Sequence, residues 1–146
     1  MNNSKVTPAQ IVILASGGAM VLCLFLPWFG GGGEDVNAFG DFVFPFGLVA
    51  CLAGIAAGVV VAVTAFANAK LPDKVWQFTW NQVHFILGFL AATITLGFLL
   101  IDFGGVDRKI GLFLALLASA GLIVGAVMLR NESPASAGPA SPPTSF

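Results

Sequence analysis

The chain's only histidine lies in a short polar run, Trp80-Asn81-Gln82-Val83-His84, at the head of a long apolar segment. Histidine changes charge closer to neutral pH than any other unperturbed side chain. On a helix, Asn81 and His84 share a face at i, i+3, and Trp80 and His84 do so at i, i+4. Asn81, Gln82 and His84 therefore form the candidate polar cluster. The chemistry open to it is a proton-sensitive switch, a proton relay or the lining of a pore. A relay needs a second titratable group at similar depth. No Asp, Glu, Lys, Arg or Tyr interrupts any of the chain's four long apolar segments. The plainer reading is a hydrogen-bonded structural histidine, about 6–9 Å inside the start of a helix that rises ~1.5 Å per residue.

Little else invites chemistry. Cys23 and Cys51 stand inside apolar runs with no CxxC or Cys/His cluster, so small apolar packing is expected rather than a disulfide or a zinc site. Ser-His-Asp and HExxH arrangements are lacking, and one histidine cannot build a metal cluster. The expectation is no catalytic residue, no metal ligand and no cofactor. Glu34, Asp35, Asp41, Asp102 and Asp107 are read as solvated loop acids without EF-type calcium spacing. The run Gly30–Gly33 lacks a following GK[ST], and its adjacent acids would repel phosphate, so it reads as a turn. With a net charge of −1, the chain offers no electrostatic case for nucleic acid.

The elements that would carry these residues follow from composition. Apolar residues make up 58% of the 146, and charged residues only 9%, against about 25% in soluble domains. A helix crosses the hydrocarbon core with about 20 apolar residues. Four segments qualify: residues 9–29, 42–67, 78–101 and 110–129. The first is read as a permanent helix rather than a cleaved signal peptide, since no small-x-small pattern precedes the loop. Short connections make neighbours antiparallel. The expected fold is all-α: an integral membrane, antiparallel four-helix bundle over residues 1–130, with short loops and a disordered Pro/Ala/Ser-rich tail over 131–146. Lys5, Lys70, Lys74 and Arg130 would share one side. The other side has Arg108 and Lys109, so both termini are expected in the cytoplasm. Trp28 and Phe29 suit a half-wet interfacial position, as do Trp76 and Trp80.

Apolar burial cannot drive helices together in lipid, whereas close backbone approach can. Small residues recur at four-residue spacing: Ala50, Gly54, Gly58 and Ala62 on the second helix, and Gly121 and Gly125 on the fourth, with a GxxxG in each. They are expected to pack the bundle internally; the alternative is that one stripe forms a homo-oligomer or docks a membrane-protein partner.

The run "LFLPWFG" closing the first helix, "NAFGDF" before the second, the short basic middle loop and the Pro/Ala/Ser-rich tail resemble those of uncharacterised small four-helix integral membrane proteins of actinobacteria. The resemblance covers most of the chain. It implies a bacterial plasma (inner) membrane location and no mechanism. The expected function is non-enzymatic: an accessory or scaffold subunit, or a self-associating membrane component, whose partner is the lipid bilayer. The alternative is a small oligomeric transporter or channel using the polar cluster around His84.

Overall fold

In the computed structural model, residues 5–67, 69–72 and 74–132 are described. The first helix, α1 (Pro8–Phe25), starts on a reciprocal cap. The Gln10 N–H donates to Thr7 Oγ1 at 3.3 Å, and the Thr7 N–H donates to Gln10 Oε1 at 3.0 Å. This satisfies two backbone donors that a helix start otherwise leaves open. Pro8 at the first helical position costs no bond. The helix stops at Phe25, four residues short of the expected 29. Leu26 precedes Pro27, and the proline ring disfavours helical geometry in the residue before it; Leu26 is extended, with ψ 145°.

The same physics moves the start of α2 (Phe46–Phe66) from the expected 42. Pro45 keeps Phe44 out of a helix, and the Phe44–Pro45 peptide is cis. The third helix, α3 (Trp80–Leu100), begins on a second reciprocal cap, Thr79 with Gln82. The fourth, α4 (Ile110–Glu132), runs three residues beyond the expected 129 and takes in Arg130, Asn131 and Glu132. The rest of the expected disordered tail, from residue 133, lies outside the described residues. All four helices are long and apolar enough to cross a membrane. At 18 to 23 residues they extend roughly 27–35 Å, against a hydrocarbon core of about 30 Å.

An all-α description is too simple, because a three-stranded sheet is also present. Strands β1 (Phe29–Gly31) and β2 (Glu34–Val36) form an antiparallel hairpin, pairing Phe29 with Val36 and Gly31 with Glu34. The two residues between them, Gly32 and Gly33, have φ of 63° and 94°. A two-residue turn with both φ values positive matches the twist of a hairpin, and glycine adopts it without strain. The third strand, β3 (Asp107–Arg108), pairs with the other edge of β1 in the order β2-β1-β3.

The sheet turns Trp28 and Phe29 inward. Both are fully buried rather than half-wet. Trp28 packs edge-on to Phe98 with centroids 5.9 Å apart, and its Nε1–H donates to the Cys23 carbonyl at 2.8 Å. Phe29 meets Phe42 and Phe103 at 5.4 and 5.2 Å. Once α1 ends early at Pro27, the extended chain crosses the helix ends instead of leaving them, and its aromatic rings fill the space there.

Between the helices the core is made of small residues. A Cβ on Gly17 would lie 2.8 Å from the Gly58 Cα, and one on Gly54 would lie 2.5 Å from the Met20 Cγ. A Cβ on Gly125 would meet Ile13, and one on Gly88 would lie 3.1 Å from the Ile123 nitrogen. Close backbone approach of this kind gives van der Waals attraction without help from water. Cys23 and Cys51 are buried free thiols in the same core.

Candidate functional site

The start of α3 and the end of α4 form the chain's polar corner. The register follows from Gly88 against Leu122 and Ile123, and from Thr95 against Ser119, whose hydroxyls are 3.3 Å apart. This places Asn81 about level with Arg130, and Phe85 about level with Ala126. A groove of about 660 Å³ runs between the two helices. Its outer part is mostly polar, with Thr79, Asn81, Gln82, Arg130 and Asn131 beside the ring of Phe78. One turn further in, Phe85, Ile86, Ala126 and Val127 make it apolar.

The structure divides the expected cluster rather than gathering it. Asn81 and Gln82 line the groove. His84 does not; it is 3% exposed and lies on the buried face of α3 with Gly88, Ala91, Thr95 and Phe98. Gln82 completes the Thr79 cap, with the Thr79 N–H donating to its Oε1 at 2.9 Å. Trp80 Nε1–H donates to the Pro72 carbonyl at 2.8 Å. His84 Nδ1 sits 2.6 Å from the Trp80 carbonyl. A carbonyl oxygen only accepts, so Nδ1 carries the proton and Nε2 of the neutral ring is a bare acceptor. That Nε2 is buried and has no hydrogen-bond partner. It is the one such side-chain atom among the described residues, and an unmade bond of this kind costs about 1–3 kcal/mol.

The hydroxyls turn back to their own helices. Thr64 donates to the Val60 and Val61 carbonyls, Thr93 to Phe89, Thr95 to Ala91 and Ser119 to Leu116. Thr93 is exposed on the outside of the bundle while Thr95 is buried, so the threonines do not line one path with His84.

The small-residue stripes are placed as follows. Ala50, Gly54, Gly58 and Gly125 are buried, and Ala62 and Gly121 are half-buried. Gly58 faces Gly17, and Gly54 faces Met20 and Leu122. Gly121 faces Ser16, and Gly125 faces Ile13. Each of these glycines thus meets another helix of the same chain.

At the opposite end, Lys109 Nζ lies 3.9 Å from Asp35 Oδ1, with both side chains largely exposed. Such a pair contributes little. Arg108 donates to the Ile101 carbonyl at 3.2 Å and does not pair with Asp107. Among the described residues, no group of three or more His, Cys, Asp or Glu side chains is placed to hold a metal ion.

The groove itself was not anticipated from sequence. Arg130 entered that reading only as a topological charge. The Thr79-x-x-Gln82 spacing of a helix cap was present in the sequence, but Gln82 was grouped with His84 instead. No protein-family model matches the chain, and no curated protein or solved structure is significantly similar to it.

Proposed function

We propose that the chain is a non-enzymatic integral membrane protein, an antiparallel four-helix bundle that serves a bacterial inner membrane as an accessory or scaffold subunit. The observation that carries this reading is that the hydroxyls of Thr64, Thr93, Thr95 and Ser119 all donate to carbonyls of their own helices. A catalytic or conducting site needs polar groups held free for a substrate, whereas these are held by their own backbones. Residue pairs between α1 and α2, α1 and α4, and α3 and α4 run in opposite order along the chain, which supports antiparallel packing. Lys5, Lys70, Lys74 and Arg130 are exposed, and their excess over Arg108 and Lys109 supports cytoplasmic termini.

A second reading, an oligomeric channel, draws on one observation: the buried His84 Nε2 that lacks a donor. Purification in mild detergent with identification of co-purifying chains tests the first reading; a stoichiometric partner is expected. Proton or ion flux through liposomes holding the pure protein, lost on His84→Ala, would replace the scaffold reading with the channel.

A further inference from the structure

The groove between α3 and α4 has the chemistry of an amphiphile site, and we infer that it holds one anionic phospholipid from the basic side of the membrane. The inference rests on the membrane reading above. Its first support is the order of the lining. Arg130 and Asn131 stand at the mouth, level with the capped start of α3, and Phe85, Ile86 and Val127 follow one turn deeper. Four residues of helix rise about 6 Å, the scale on which a lipid changes from phosphate to hydrocarbon. A site built this way takes a charged head at the rim and an acyl chain along the wall.

The second support is electrostatic. Among the described residues one ion pair is present, between Lys109 and Asp35 at the far end. Arg130 has none. The nearest acid along its helix, Glu132, is turned toward α1, where its Oε1 accepts the Ala9 N–H at 3.2 Å. Among the described residues, Arg130 therefore faces the groove as a cation without a carboxylate. A guanidinium offers a planar fork that matches two phosphate oxygens. The start of the 21-residue α3 adds its positive end to the same rim. A zwitterionic lipid brings a cation that cancels its phosphate charge into this field, whereas an anionic lipid such as phosphatidylglycerol keeps its net charge, so the rim selects for net negative charge. The size of the groove is consistent with a headgroup and the top of one chain, within the range of small-molecule sites.

The experiment is electron paramagnetic resonance of spin-labelled lipids in phosphatidylcholine vesicles holding the intact protein. Flotation after alkaline carbonate washing comes first. Protein stripped from the vesicles would overturn the membrane reading itself. With protein retained, spin-labelled phosphatidylglycerol should be motionally restricted in preference to spin-labelled phosphatidylcholine. Arg130→Gln should reduce that preference roughly five-fold, the factor expected for one basic residue at an anionic lipid surface. Val127→Trp keeps every charge and fills the apolar part of the groove; it should lower the preference too. Lys70→Gln, a change of charge at the same end outside the groove, should leave most of it. Excess inorganic phosphate should not compete, because it has no chain for the apolar wall. Equal losses for Arg130→Gln and Lys70→Gln would overturn the proposal in favour of diffuse surface charge. So would full selectivity in Val127→Trp, or displacement by phosphate.

Discussion

The crossing of α1 and α2 at Gly17 and Gly58 makes a sharp prediction, because its neighbour Gly18 is a built-in control. A Cβ added at Gly17 would lie 2.8 Å from the Gly58 Cα, 3.1 Å from the Gly54 carbonyl oxygen and 3.3 Å from the Gly58 nitrogen. All three are backbone atoms, so no side-chain rotation relieves the overlap. Ordinary contact between such atoms begins near 3.5–4 Å, so the helices must separate locally by roughly 0.7–1 Å. A gap of that size forfeits about a quarter to a half of the dispersion attraction of each pair along the seam, and overpacking costs typically about 1–3 kcal/mol. Gly17→Ala should therefore destabilise by about 2 kcal/mol. At Gly18 an added Cβ meets nothing within 4 Å. Gly18→Ala should be neutral or stabilising by up to about 1 kcal/mol through helix propensity. Reversible unfolding in mixed micelles of dodecyl sulfate and a mild detergent reads both. Gly121→Ala belongs between them, since its added methyl meets the Ser16 hydroxyl, which can rotate away. Equal midpoints for Gly17→Ala and Gly18→Ala would refute the crossing point and, with it, the assignment of the α2 glycines to contacts within the chain.

Other consequences follow from single bonds. Thr79→Ala removes the side-chain acceptor that starts α3, costing about 1 kcal/mol, and should speed amide exchange at Trp80 to Gln82. Trp28→Phe loses the buried bond to the Cys23 carbonyl and part of the aromatic packing, for about 2 kcal/mol. Trp76→Ala changes a ring that is 90% exposed and should stay within about 0.5 kcal/mol; intrinsic fluorescence during unfolding follows both variants. Ser119→Ala breaks the 3.3 Å contact with Thr95 between α3 and α4, yet should cost only about 0.6 kcal/mol in a membrane-like medium, because the Thr95 hydroxyl that remains keeps its own-helix partner, the Ala91 carbonyl. His84 should carry a proton on Nδ1, the nitrogen 2.6 Å from the Trp80 carbonyl, and nitrogen-15 spectra of labelled protein read this directly; an unprotonated Nδ1 would mean that the Trp80 carbonyl is not its partner.

The four helices were legible because unbroken apolar length is a strong signal. Their ends were less so, and the misses share a cause. Leu26-Pro27 and Phe44-Pro45 are as apolar as the helices beside them, so hydropathy ran the spans through residues where backbone sterics end them. The sheet was hidden for another reason. A two-residue strand at Asp107–Arg108 has no pattern of its own and exists only because β1 lies beside it. The role of Gln82 was legible in its spacing from Thr79, but the lone histidine nearby drew it into a different grouping. The groove needed the α3–α4 register, which sequence does not supply.

The two ends of the molecule solve the same problem differently. In a membrane, backbone groups at a bundle end must be bonded or wet. At the end bearing Trp28, the segment between α1 and α2 lies across the helices and is bonded to the α3–α4 connection. Lys109 N–H donates to the Trp28 carbonyl, and Gly111 N–H to the Pro27 carbonyl, both at 2.8 Å. One short sheet thereby joins both connections and closes that end over an aromatic core. At the other end, the turn closed by paired bonds between Val75 and Phe78, and the Trp80 bond to Pro72, stay within the α2–α3 connection. Of the bonds named here, only Ala9 to Glu132 joins α1 to α4 at that end. Exposed basic side chains and the open α3–α4 groove are found there as well. The proposed lipid site lies at this basic end, where side chains such as Arg130 are not committed to closing the fold.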